Sequence, residues 1–260
     1  MAFLLGCQSI TFGDEAHKKN IEKVFDAVSE AGFNGIEIGF FRLNAEKGPE
    51  YRKKLDERSL RMAAIHMGGN ILDRESQHSQ MDNLDLVIRL AKQLGNDYIF
   101  LSGSREEDYK SQAVRYDELG VRIKDAGLCL CYHNHDWEIT DNFAGLETLL
   151  NNTENMDLVL DVGWVVQGGG DPVKAIKDYE SRLKHVHFKE FTAEGGFAEL
   201  GKGIVDFKSV YRVLNESSLN GSFSKRKDIW IIAEQDASQK TAAESVKENY
   251  EYLKAMSDCL

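Results

Sequence analysis

Residues 128–163 read LCLCYHNHDWEITDNFAGLETLLNNTENMDLVLDVG. Two short, continuous apolar runs, LCLCY and LVL, flank an amphipathic segment, NFAGLETLLNN. Apolar strands separated by a helix indicate a parallel sheet covered on both faces. The first run ends oddly. Cys131–Ile139, CYHNHDWEI, places two histidines, an aspartate and a glutamate where a strand should finish. Such side chains are costly to bury without partners. The stretch is either a polar surface turn or a site.

The same alternation extends in both directions. Strands are predicted at LLGCQSI, NGIEIG, MAAIHMG, DYIFLSG, LCLCYHNH, MDLVLDVG, LKHVHFKEF and IWIIAEQ. A helical pattern follows each one. HKKNIEKVFDAVSEAG and QMDNLDLVIRLAKQLG close on glycine, the usual stop signal. DPVKAIKDYES opens with Asp171 as cap and Pro172 at the first helical position. Eight strand–helix units in 260 residues predict an α/β fold, a (β/α)8 TIM barrel, as a single domain over residues 1–260. A doubly wound open sheet is the alternative. It would usually carry a glycine-rich first turn, which CQSITFGDE lacks.

The net charge is −11, from 43 acidic and 32 basic residues. Nucleic-acid binding draws on Lys/Arg neutralisation of phosphates, so no nucleic-acid partner is expected. No apolar run reaches the roughly 20 residues of a membrane span, and the N-terminal run lacks a basic n-region. A cytoplasmic chain without a membrane partner is expected, and a homo-oligomer is compatible with the composition. Cys7, Cys129, Cys131 and Cys259 show no paired-motif spacing and read as reduced apolar filler.

In a β/α barrel, chemistry collects at the C-terminal strand ends. Those ends carry Glu37, His66, His133 and His135 with Glu138 just beyond, Asp161, then His185, His187 and Lys189, and finally Glu234. Strand alternation tests their direction. Leu160 and Val162 would face the helices, which turns Asp161 to the axis. Val186 and Phe188 would face out, turning His185, His187 and Lys189 in. The same parity points Glu37, His133, His135 and Glu234 inward. Carboxylates and imidazoles packed this closely raise one another's protonation costs. One divalent metal ion (Mn²⁺, Zn²⁺, Co²⁺ or Mg²⁺) resolves the conflict. Thiolates are absent from the strand ends, so a Cys-type structural zinc is not expected.

The motifs CYHNHDWEI, LDVGW with GGGDPVKAIKDY, LKHVHFKEF, LGKGIVDFKSV and IIAEQD occur in this order at barrel spacing. By these the chain resembles the sugar phosphate isomerase/epimerase family, with its xylose-isomerase-like barrel. The resemblance implies one metal held by a residue of the fifth strand, the Asp of the sixth, the second His of the H-x-H in the seventh and the Glu of the eighth. Carried over, these are Asp161, His187 and Glu234. The fifth-strand position departs from the family, where glutamate is usual. Alignment from Gly127 brings His133 there, with His135 or Glu138 reached by a shifted register. The opposed glutamate pair of the epimerases is not intact.

The resemblance implies proton abstraction next to a carbonyl, with metal stabilisation of the resulting enediolate. His135 or Glu138 is expected on one side and Lys189 or His66 on the other. A cation and the barrel interior would lower the Lys189 pKa; a salt bridge to Glu37 or Glu190 is the plainer alternative. Trp137 and Trp164 offer apolar faces to a small-molecule carbohydrate, with Glu37 and His185 as further substrate contacts. The expected function is a ketose isomerase/epimerase. The alternative is a lyase or dehydratase on a keto-sugar, keto-glycoside or keto-inositol. A DNA-repair endonuclease of the related barrel family would need a basic groove, and a non-enzymatic barrel would not need Asp161, His187 and Glu234 aimed inward. Asp171 would repel an anion at the QGGGDP turn, so an uncharged sugar is at least as good a candidate as a sugar phosphate.

Overall fold

The computed structural model describes residues 3–68, 74–105, 108–220 and 229–259. Its barrel strands are β1 (Leu4–Gln8), β2 (Gly35–Gly39), β3 (Arg61–Gly68), β4 (Tyr98–Ser102), β5 (Cys129–His133), β6 (Asp157–Asp161), β7 (Leu183–Phe188) and β10 (Trp230–Ala233). All pair in parallel and close in the order β1-β10-β7-β6-β5-β4-β3-β2. The (β/α)8 expectation holds. A two-stranded ribbon, β8 (Glu190–Phe191) and β9 (Phe197–Ala198), stands beyond β7.

The covering helices are α1 (Gly13–Ala31), α2 (Gly48–Asp56), α3 (Arg74–Leu94), α4 (Tyr109–Asp125), α5 (Thr140–Asn151), α7 (Pro172–Asp178), α8 (Phe207–Asn220) and α9 (Ala242–Cys259). A short extra helix, α6 (Val162–Gln167), follows β6 directly. Local chemistry sets several ends. Gly32 closes α1 at φ 110°, a left-handed conformation that suits glycine. Asp171 caps α7 by accepting from the amides of Val173 and Lys174, with Pro172 in the first turn.

Strand alternation divides the apolar residues into two layers. Tyr132, Leu158, Leu160, Val186 and Phe188 join the helices in the large outer core. Ala63, Ala64, Phe100, Cys131, Val159, Trp230 and Ile232 form the smaller cluster that fills the barrel. Each large apolar side chain so buried contributes about 1.5–3 kcal/mol. All four cysteines are free thiols. Among the described residues, no helix is long and apolar enough to cross a membrane.

Candidate metal centre and active site

Above the apolar plug, the strand ends bring His133, Asp161, His187 and Glu234 together. One potential ligand atom from each lies within 4.8 Å of all the others, and all four residues are buried. His133 Nε2 sits 3.4 Å from Asp161 Oδ2 and 3.3 Å from Glu234 Oε2. His187 Nδ1 meets Glu234 Oε2 at 2.5 Å. Backbone pairing fixes these positions. His133 is the last residue of β5, and Asp161 and His187 are register partners on β6 and β7. Asn134 locks the end of β5 to β6 by accepting from the Asp161 amide at 2.9 Å and donating to its carbonyl at 3.2 Å.

The donor set fits a divalent ion. Buried His133 Nε2 and Asp161 Oδ2 have no hydrogen-bond partner, although buried polar groups are normally satisfied. Charge balance agrees. Carboxylates Glu37, Asp161 and Glu234 face the bases His133, His187 and Lys189 within one buried group. Burial pushes the His133 and His187 pKa values down. Their carboxylate neighbours more than reverse this, raising His133 and bringing His187 up to about 10. The carboxylates therefore draw positive charge toward both rings. A divalent cation carries positive charge into the same place.

A second layer supports the first. Glu37 is fully buried. Its Oε1 accepts from His66 Nδ1 at 2.6 Å, and its Oε2 lies 2.8 Å from His187 Nε2. Burial pushes the Glu37 carboxyl up, but His187 and His66 outweigh it and hold it at about 2. His66 Nε2 meets Ser102 Oγ at 2.7 Å, and Ser102 Oγ lies 3.3 Å from His133 Nδ1. One chain of contacts thus runs from His133 through Ser102, His66 and Glu37 to His187. Such outer contacts orient metal-binding imidazoles.

A cavity of about 450 Å³ opens above the cluster. Glu234 and His133 form part of its floor; His66, His135, Trp164 and Lys189 line it as well. Several expected residues sit elsewhere than strand parity placed them. β5 ends at His133, so His135 belongs to the following bend, where it stacks on Trp137 at 4.1 Å between ring centroids. Burial, with His133 and Lys189 nearby, holds His135 down to about 2, so it is neutral. Trp137 backs His135 and does not line the cavity. Glu138 is buried beneath the bend, accepting from Tyr132 Oη at 2.7 Å and the His135 amide at 2.6 Å. Glu37 likewise lies outside the cavity lining. His185 points inward but sits below the cluster, against Tyr98 and Phe100, and accepts from the Trp230 amide at 3.1 Å.

Lys189 pairs with carboxylates other than the expected ones. Its Nζ donates to Glu234 Oε1 at 3.0 Å and Asp236 Oδ2 at 2.7 Å, and lies 3.9 Å from Asp161 Oδ2. Burial pushes its pKa down, but Glu234, Asp161 and Asp236 more than reverse this and leave it above the ordinary lysine value. Its partners are not Glu37 or Glu190. Glu190 instead accepts backbone amides from Phe191, Gly201 and Val205. Gly163 permits the close approach of α6 to this region, since a Cβ there would lie 2.3 Å from the Lys189 carbonyl oxygen. Lys189 Nζ lies 4.7 Å from the centroid of the Trp164 ring, a cation–π contact.

Sequence reasoning passed over Ser102 and Asp236. Asp236 follows Glu234 by two residues, so parity carried one step further would have reached it. Glu138 yields a separate prediction. Glu138→Gln keeps the shape but replaces a carboxylate oxygen that accepts a buried donor. A stability loss of about 1–3 kcal/mol is expected, measured by urea unfolding, with a looser His135. An unchanged midpoint would show that the bend does not depend on this carboxylate.

A family model described as xylose isomerase-like TIM barrel matches residues 25–256. An inosose dehydratase of Lacticaseibacillus casei is 25% identical over 275 residues, covering 90% of this chain and 89% of that protein. Two solved structures share the fold. The probable 3-DHS dehydratase AsbF from Bacillus anthracis aligns with TM-score 0.77 at 16% identity, covering 98% of this chain and 99% of that one. The IOLI protein, with a bound zinc atom, aligns with TM-score 0.79 at 14% identity, covering 98% of both chains. With the family match spanning nearly the whole chain and the closed barrel beneath it, this protein belongs to the xylose isomerase-like TIM barrel family.

Proposed function

We propose that this chain is a divalent-metal-dependent carbon–oxygen lyase, removing a β-substituent from a keto-sugar or keto-inositol through an enolate. One observation carries the choice of elimination over epimerisation: the cavity wall beside the cluster presents an imidazole, His135, and an ammonium, Lys189. Epimerisation needs two groups that exchange a proton with opposite faces of one carbon. Elimination needs a base at carbon and an acid at the leaving oxygen. The unlike pair suits the second task, and the dehydratase name of the L. casei relative supports the same reading.

His133, Asp161, His187 and Glu234 would hold the ion. When bound, it supplies Lewis-acid stabilisation of negative charge on a carbonyl oxygen. The remaining steps belong to side chains. His135 has its Nδ1 buried and offers Nε2 to take the proton from the carbon next to the carbonyl, a role that requires bound substrate to raise its proton affinity from that of the free site, where burial, His133 and Lys189 hold it down. That C–H electron pair moves toward the carbonyl oxygen to give the enolate; as the carbonyl re-forms, the C=C bond to the β-carbon forms and the C–O bond to the β-substituent breaks. Lys189 delivers a proton to the departing oxygen, which leaves as water or an alcohol. Proton exchange with solvent restores His135 and Lys189. Trp164 offers an apolar face to the substrate and shields Lys189.

The test is NMR in D₂O with the Mn²⁺-loaded protein and a panel of keto-inositols, keto-glycosides and ketoses. The expected result is loss of the C–H signal next to the carbonyl together with C–O cleavage. Accumulation of an epimer without cleavage would assign the isomerase reading, with His66 or Lys189 returning the proton. Neither exchange nor cleavage across the panel would remove enolate chemistry altogether.

A further inference from the structure

We infer that the cavity carries a second subsite, built by Phe41, Arg42, Asp14 and Lys18, which holds a neutral polyhydroxylated ring joined to the reacting one. This rests on reading the cavity as a carbohydrate site and specifies the substrate class as a two-ring glycoside. All four residues line the same cavity as His133 and Glu234. Phe41 is 69% exposed and lines the cavity, so its ring face is open to a ligand there. Its ring lies 5.5 Å from that of buried Phe40. Arg42 is mostly buried, and its Nε donates to Asp14 Oδ1 at 2.8 Å. Gly39 makes room for the guanidinium, since a Cβ there would lie 3.2 Å from Arg42 Nη1.

A glycine also lines the cavity beside His66. Gly68 ends β3 two residues beyond His66, so the two share a strand face. Both line the cavity. A Cβ at Gly68 would meet nothing within 4 Å. Its backbone is extended strand that any residue adopts. Among the described residues, a side chain added at Gly68 would meet no packed neighbour and would project into open space at the cavity lining.

The rim chemistry selects the ring. Phe41 offers a flat apolar face. Arg42 and Lys18 only donate hydrogen bonds, and the Asp14 carboxylate only accepts them. Sugar hydroxyls do both. A phosphate would face the Asp14 carboxylate, and a plain aryl group would use the Phe41 face but none of the donors and acceptors beside it.

The test is equilibrium binding by ligand-observed NMR on the full chain loaded with Mn²⁺. The probes are unoxidised sugars: cellobiose, maltose, trehalose and methyl β-D-glucoside. At least one disaccharide should bind the unmodified protein roughly tenfold more tightly than the methyl glucoside, the range of one good aromatic contact. Phe41→Ala and Gly68→Val should each remove that advantage while changing the methyl glucoside by less than about twofold. The inference is overturned if no disaccharide binds more tightly, if none of the sugars binds, or if both variants weaken both kinds of sugar alike. Proton exchange in D₂O reads the reaction separately. A disaccharide advantage without exchange would remove the lyase reading and leave the subsite.

Discussion

Asp161→Asn should lose the metal and keep the fold. The two carboxylate oxygens of Asp161 do different work. Oδ1 accepts from the Trp164 amide at 2.8 Å and caps α6. Oδ2 faces the cluster, 3.4 Å from His133 Nε2. Asparagine can present its carbonyl oxygen to the Trp164 amide, so the cap survives. It brings no charge to the cluster, and its amide nitrogen is a donor where a ligand must donate electrons. Metal content should fall from about one ion per chain to a small fraction of that, with activity lower by roughly a thousandfold or more. Asp161→Ala loses the cap as well, so its metal-free form should be about 1 kcal/mol less stable than that of Asp161→Asn. Metal analysis and thermal unfolding in EDTA separate the two effects. Adding Mn²⁺ at 100 times its Kd should stabilise the unmodified protein by about 2.7 kcal/mol and leave both variants unmoved. A fully active, metal-replete Asp161→Asn would end the four-ligand assignment.

What strand parity could reach, and where it stopped, follows from the geometry. His133 and Asp161 end β5 and β6, His187 stands one residue before the end of β7 and Glu234 one residue past β10, and alternation turns all four to the axis. The rule carried past the end of β10 to Glu234 but failed past the end of β5. His135 and Glu138 lie past His133, in a bend whose direction is set by the Glu138 contacts and not by period two. α6 went unseen because Asp161 is a strand end and a helix cap at once, and Val162 begins the helix. Parity gives direction but not depth. His185 and His187 share a face, yet His185 sits below the cluster and His187 within it. Period along one element does not say which elements meet, so the group of Phe41 and Arg42 after β2 with Asp14 and Lys18 from the first turns of α1 emerges only when the chain is folded. The partners of Lys189 were also out of reach, because Glu234, Asp161 and Asp236 arrive together only in the fold.

Glu37→Gln should weaken metal binding without touching a ligand. Glu37 accepts from His66 with one oxygen and lies against His187 Nε2 with the other, entirely out of solvent. Glutamine has the same shape but only one acceptor oxygen. Its amide group must face either His66 or His187, and whichever imidazole it faces loses the carboxylate that set its orientation. If that is His187, a proposed ligand is misdirected. If it is His66, the contact chain through Ser102 to His133 is disturbed from the other end. Either route reaches the metal site, so affinity should fall by about 10–100-fold, the range for an outer carboxylate. The metal-free protein should also be destabilised by about 3–5 kcal/mol, because removing one partner of a buried ion pair leaves the other uncompensated. The two readouts distinguish roles. A residue that only packs would lower the unfolding midpoint while the protein that remains folded binds Mn²⁺ as before. An orienting residue moves the Mn²⁺ dissociation constant, measured by calorimetry well below the unfolding temperature. Unchanged affinity in folded Glu37→Gln would reduce Glu37 to a structural partner of His66 and place the orientation of His187 on Glu234 alone.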